Sequence, residues 1–151
     1  FSKTYYMTGW RLGWACGNPT LVSALAKVKS NCDSGVFNAI QYAGIAALNM
    51  DPRDIEDMRQ EYQNRRDALI NGLRSIGWKI DPPKGAFYIW AKIPSKFTDS
   101  MQCAKTFLDE ADIVMTPGNG FGKSGEGYVR MAITLPTGRI HQAVERIKKI
   151  L

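Results

Sequence analysis

One helical period through the middle of the chain constrains its fold more than anything else. Asp51-Pro52 joins an N-cap aspartate to a proline suited to the first helical position. Ile55, Met58, Tyr62, Leu69 and Leu73 then recur at helical spacing and predict a helix running to Ser75. At ~1.5 Å per residue such a helix exceeds about 30 Å, long enough to bridge two domains. Its other face, with Arg59, Glu61, Arg65, Arg66 and Asp67, reads as solvated surface. The chain therefore divides into residues 1–50, a connecting helix over 51–77, and a second domain over 78–151.

The first part opens on the segment richest in chemistry. Lys3 stands among hydroxyl and aromatic residues, Arg11 follows eight positions later near Gly9 and Gly13, and residues 1–17 contain no acid. A lone lysine near a chain end is ordinarily a solvated charge, and here its company argues otherwise. A desolvated or cation-flanked ammonium loses its proton readily and becomes a nucleophilic amine suited to Schiff-base chemistry. Arginine grips phosphate through parallel N–H donors, and glycines let backbone approach a bulky anion. An amine beside a phosphate-sized anion site suggests pyridoxal phosphate. A strand is expected over residues 10–16, then a turn at Gly17-Asn18-Pro19-Thr20 and a helix over 19–28 with Leu21, Val22, Leu25 and Val28 on one face. Asp33 or Ser34 is the expected N-cap of a further helix over 36–49, with Val36, Ile40, Ala43 and Ala47 on one side.

In the second part Gly77 ends the long helix and residues 78–80 are expected to begin a strand. Pro82-Pro83-Lys84-Gly85 is a turn, and the apolar run 86–91 has strand length and strong β formers. A helix is expected over 99–111, a short strand over 113–115, a strand over 128–133 and a closing helix over 136–151. The glycine-rich loop 117–127 lacks the spacing of a nucleotide-binding loop. Arg130 is the one charge in an otherwise apolar strand. Burying an unpaired guanidinium is costly, so it should meet a carboxylate, either a buried Asp or Glu or one belonging to a ligand. His141 has no partner suggesting catalysis or metal binding.

Bulk properties exclude several classes. Twenty basic against fourteen acidic residues give a net charge of +6, but the basic residues are dispersed, which argues against a nucleic-acid face and favours small anionic substrates. Cys16, Cys32 and Cys103 are odd in number, far apart and without metal-ligand spacing, so free thiols, no metal site and a cytoplasmic setting are expected. No apolar run reaches the ~18 residues a membrane helix needs.

Ser2-Lys3-Thr4-Tyr5, the run from Met7 to Trp14, and Gly17-Asn18-Pro19 resemble the cofactor-lysine segment of fold-type I, class I/II aminotransferases that use pyridoxal 5'-phosphate. The stretch from Ser30 to Phe37 resembles the branch that includes LL-diaminopimelate aminotransferase, and the chain as a whole resembles the aspartate and LL-diaminopimelate aminotransferase branches. The resemblance implies that Lys3 bonds the cofactor and is catalytic, and that Ser2 and Arg11 bind its phosphate. It also implies that Arg130, after a Pro117-Gly118 loop, binds the substrate α-carboxylate. It implies an α/β fold: the edge of a large cofactor domain, a long connecting helix, and a small α/β domain whose mixed sheet packs on helices. The expected activity is amino transfer between an L-amino acid and a 2-oxo acid by a homodimer. This chain would then be its C-terminal part, inactive alone and prone to self-association through exposed apolar surface. A noncatalytic α/β dimerisation or binding module, or another fold-type I enzyme such as a β-lyase, are the alternatives.

Overall fold

The computed structural model describes all 151 residues. Five α-helices and three short strands follow one another as α1 (Pro19–Cys32), α2 (Asn38–Leu48), α3 (Pro52–Ser75), β1 (Tyr88–Lys92), α4 (Ser100–Ala111), β2 (Thr116–Pro117), β3 (Tyr128–Ala132) and α5 (Thr137–Lys148). They form two compact units, Phe1–Asp57 and Met58–Leu151, and the boundary falls within α3.

Local chemistry explains where the helices begin. Asn18 Oδ1 accepts from the N–H groups of Thr20 and Leu21 at 2.9 and 3.4 Å, and Pro19 occupies the first turn of α1. Asp51 Oδ1 accepts from Arg53 N–H at 2.9 Å before α3, and Asp99 Oδ1 from Gln102 N–H at 2.7 Å before α4. The expected cap of α2 does not form. Asp33 is held instead by Lys29, 2.5 Å away, and by the Gly35 N–H, so Phe37 stands at the N-cap with no side-chain bond.

In the first unit, Met7, Gly44 and Ala47 are the buried contacts, and a Cβ on Gly44 would lie 2.4 Å from Leu12 and 3.5 Å from Phe1. Helix α1 buries no residue. Leu21 is 71% exposed and Val28 63%, so its apolar face is open. The strand expected over 10–16 is absent. Trp10 N–H closes a short 3-10 turn onto Met7 O, and Arg11 leaves it in the left-handed region at φ 54°, which breaks an extended run.

The second unit is built on an antiparallel sheet in the order β1-β3-β2. Both pairings are antiparallel, correcting the expectation of a mixed sheet. Ile89 lies opposite Met131 and Ala91 opposite Val129, and these four residues are buried. They join Leu69, Ile70 and Leu73 of α3, Phe107 of α4, and Ile140, Val144 and Ile147 of α5 in one core. Each large side chain buried there contributes about 1.5–3 kcal/mol relative to exposure. Helices α3 and α5 approach closely, since a Cβ on Gly72 would sit 2.7 Å from Val144.

Two expected strands resolve differently. Residues 78–80 make no ladder; Trp78 is anchored by its side chain, stacked on Phe107 with centroids 5.6 Å apart and donating Nε1–H to Lys92 O at 2.8 Å. The strand expected over 113–115 begins at Thr116 instead. Asp112 ends α4 in the left-handed region, and Ile113 N–H reaches back to Phe107 O at 3.0 Å. The polar face of α3 is also less solvated than its composition suggests. Arg65 is largely covered, bound to Glu61 at 2.7 Å and to Thr134 O at 3.1 Å, and Arg66 reaches Pro83 O.

Candidate functional site

The lysine segment is a tight loop. Tyr5 N–H donates to Phe1 O at 3.1 Å, and the two rings lie 5.5 Å apart, so Lys3 projects from a closed turn and is exposed. Thr8 ties that turn to the arginine. Its Oγ1 donates to Ser2 O at 2.7 Å, and its own carbonyl accepts from Arg11 Nη1 at 3.2 Å. Tyr6 and Arg11, on either side of Thr8, have positive φ of 53° and 54°. Each such non-glycine residue costs about 1–2 kcal/mol, a strain the surrounding bonds must hold.

The sequence carries no Asp or Glu before Asp33, and the Arg11 guanidinium bonds a carbonyl rather than a carboxylate. A Cβ on Gly9 or Gly13 would meet no protein atom within 4 Å, so space lies open beside both.

Arg130 occupies the second unit, in the central strand of the sheet. Alternation along β1 and β3 places Ile89, Ala91, Val129 and Met131 on the core side, and leaves Tyr88, Trp90, Tyr128 and Arg130 on the other. The buried carboxylate expected for Arg130 is not there, because its side chain lies on the open face of the sheet. Its guanidinium carbon lies over the Tyr88 ring at 4.3 Å and over the Phe121 ring at 4.7 Å. Trp90, directly opposite Arg130 in register, meets Phe121 edge-on at 5.4 Å and stacks on Tyr128 at 5.6 Å. A cleft of about 480 Å³ opens beside this arginine, lined by Tyr88, Thr116, Leu135, Arg139, Arg146 and Asp112, the last 3.9 Å from Arg146. A larger groove of about 1080 Å³ between α3 and α5, with His141 and Glu145, holds none of the expected site residues.

The loop that presents Phe121 is closely built. A Cβ on Gly118 would fall 1.9 Å from Gly125 O, and one on Gly125 2.1 Å from Gly118 O, so two backbone segments touch where neither residue can carry a side chain. Glu126 closes the loop against α4, accepting from Ser100 N–H at 2.6 Å, Ser100 Oγ–H at 3.0 Å and Gly127 N–H at 2.7 Å. The backbone donors of Ser100 and then Gly127 hold its carboxyl below the ordinary value.

The sequence model of the aminotransferase class I and II family matches residues 1–147. This chain belongs to that family. The LL-diaminopimelate aminotransferase of Moorella thermoacetica is 49% identical over 150 residues, covering 99% of this chain and 38% of that protein. Among solved structures, substrate-bound BacF of Bacillus subtilis aligns with a TM-score of 0.94 at 36% identity, over 99% of this chain and 38% of that one. The aromatic aminotransferase of Pyrococcus horikoshii aligns with a TM-score of 0.93 at 35% identity, over the whole of this chain and 41% of that one. The chain thus spans little more than a third of the length of the aminotransferases it matches.

Class I and II aminotransferases use pyridoxal phosphate. The donor set of the first loop fits that group, with an amine at Lys3 and a guanidinium at Arg11 bound to no carboxylate. Sequence reasoning did not single out Thr8, Trp90 or Phe121 as parts of an aminotransferase site. Thr8 carries a local signal, a hydroxyl between the lysine and the arginine. Trp90 and Phe121 carry none, since they come to Arg130 only through strand register and the loop.

Proposed function

We propose that this chain is the C-terminal part of a pyridoxal-phosphate-dependent aminotransferase that moves an amino group between an L-amino acid and a 2-oxo acid. In this reading residues 1–50 belong to the cofactor domain, 51–77 form the connecting helix, and 78–151 are the small domain. The carrying observation is the lysine loop, where one threonine ties the backbone beside Lys3 to an arginine with no carboxylate partner.

When bound, the cofactor supplies an electron sink for the charge left at the substrate's Cα. Lys3 would hold it through its amine until the substrate's amino group displaces that bond, and the freed amine would then act as the base that carries a proton away from the substrate's Cα. Ser2 and Arg11 hold its phosphate, Arg11 through paired N–H donors. Arg130 binds the substrate α-carboxylate and so orients the Cα–H bond, a role supported by its lack of any protein carboxylate and by the cleft beside it. The LL-diaminopimelate relatives make that amino acid the first donor to try. A cytoplasmic setting is supported by three free cysteines. A homodimer would bury apolar side chains that α1 and α2 leave open.

The test is amino transfer by the full-length enzyme containing this chain. Activity with a panel of amino donors and 2-oxo acids, lost in Lys3→Ala, supports the proposal. Undiminished transfer by Lys3→Ala contradicts it.

A further inference from the structure

We propose that Phe121 is a positioning residue for Arg130, setting the direction of its N–H fork toward a carboxylate. This rests on the reading of Arg130 as the carboxylate-binding residue and adds to it what holds that residue in place. A guanidinium lying against aromatic rings is attracted to them through its flat face, which leaves its in-plane N–H donors for a planar, two-oxygen partner. Arg130 has two such rings and no carboxylate of the protein.

The two rings differ in what fixes them. Tyr88 is set by β1 and contacts the Phe87 ring at 4.5 Å. Phe121 comes from the loop and remains 50% exposed, so core burial does not explain its place. Its ring contacts are Arg130 and the edge-on Trp90, itself stacked on Tyr128. The paired glycines and the Glu126 bonds hold the ends of the loop that carries it. A phenyl ring cannot donate to a carboxylate, so its effect on such a ligand passes through Arg130. Loss of a ring in this setting should loosen the arginine while leaving the core intact.

The experiment measures the dissociation constants of a 2-oxo acid and of its amide for the full-length enzyme, alongside thermal unfolding. Phe121→Leu is expected to weaken binding of the acid about fivefold, as loss of one cation–ring contact implies. The amide should be unaffected, and Phe121→Tyr, which restores the ring, should return the acid to within about twofold. Trp90→Leu, which removes the edge-on support, should shift acid binding in the same direction. Equal weakening of acid and amide, or no weakening of either, overturns the proposal. A Phe121→Leu protein that fails to fold overturns it too, because the ring would then carry the fold. If Arg130→Lys leaves the preference for acid over amide unchanged, the assignment of Arg130 itself fails, a separate result from failure at Phe121.

Discussion

Glu126 accepts both the backbone N–H and the hydroxyl of Ser100, two residues 26 positions apart, at 2.6 and 3.0 Å. Ser100 is fully buried at the first turn of α4, where helical N–H groups have no partner within the helix. A carboxylate from a distant loop thus completes the cap begun by Asp99. The folded carboxyl titrates below its ordinary value of 4.5, so its contribution to stability is complete above that value and is lost as pH falls through the lower folded value. Glu126→Gln should therefore be less stable than the unaltered protein by a constant margin above about pH 5.5, and the margin should close at more acid pH. Urea unfolding across pH measures it.

The contact between Gly118 and Gly125 should be intolerant of any side chain. Gly118→Ala puts a methyl against two backbone carbonyls, at 1.9 and 2.6 Å, and neither can swing aside. A loss of about 1–3 kcal/mol is expected, or more if the loop detaches. Gly120→Ala, whose Cβ meets nothing within 4 Å, is the control and should change stability by less than about 0.5 kcal/mol. Thermal unfolding of the pair separates crowding from a general effect of losing glycine.

Phe107 is the packing centre of the second unit. It is fully buried, stacked on Trp78, and tilted against Phe97 with centroids 5.5 Å apart. Phe107→Ala should cost about 3–5 kcal/mol, read from the midpoint of denaturant unfolding.

The three thiols should separate by reactivity. Burial, with Asp99 adding a smaller push, raises the Cys103 thiol to about 12, so almost none is thiolate at neutral pH. Cys16 and Cys32 are exposed. Alkylation of this chain at pH 8 followed by peptide mapping should label Cys16 and Cys32 and reach Cys103 only after unfolding.

The helices were legible because their signals are local. Asn18-Pro19, Asp51-Pro52 and Asp99 each start a helix with a bond two or three residues long, and the long period of α3 ends as expected at Ser75. The sheet was less legible because short apolar runs do not say which partner they will meet. Residues 78–80 are buried at Trp78 and Ile80, yet Trp78 bonds through its side chain instead of a ladder. Asp33 misled for a related reason: a capping residue also suits Lys29 four positions earlier, and the ion pair took it. Within the candidate site, Lys3 and Arg11 could be found from a spacing of eight along the chain. The environment of Arg130 could not, since its rings come from β1 and from the loop after β2. Of the two carboxylates expected for Arg130, the buried protein one is absent, since the side chain lies on the face of the sheet turned away from the core.

Borohydride reduction of the full-length enzyme in the presence of pyridoxal phosphate, followed by peptide mapping, tests the central claim most directly. The reduction fixes the cofactor to the lysine that bonds it. The account predicts the label on Lys3, and its loss in Lys3→Arg. A label on any other lysine, with Lys3 unmodified, would contradict it.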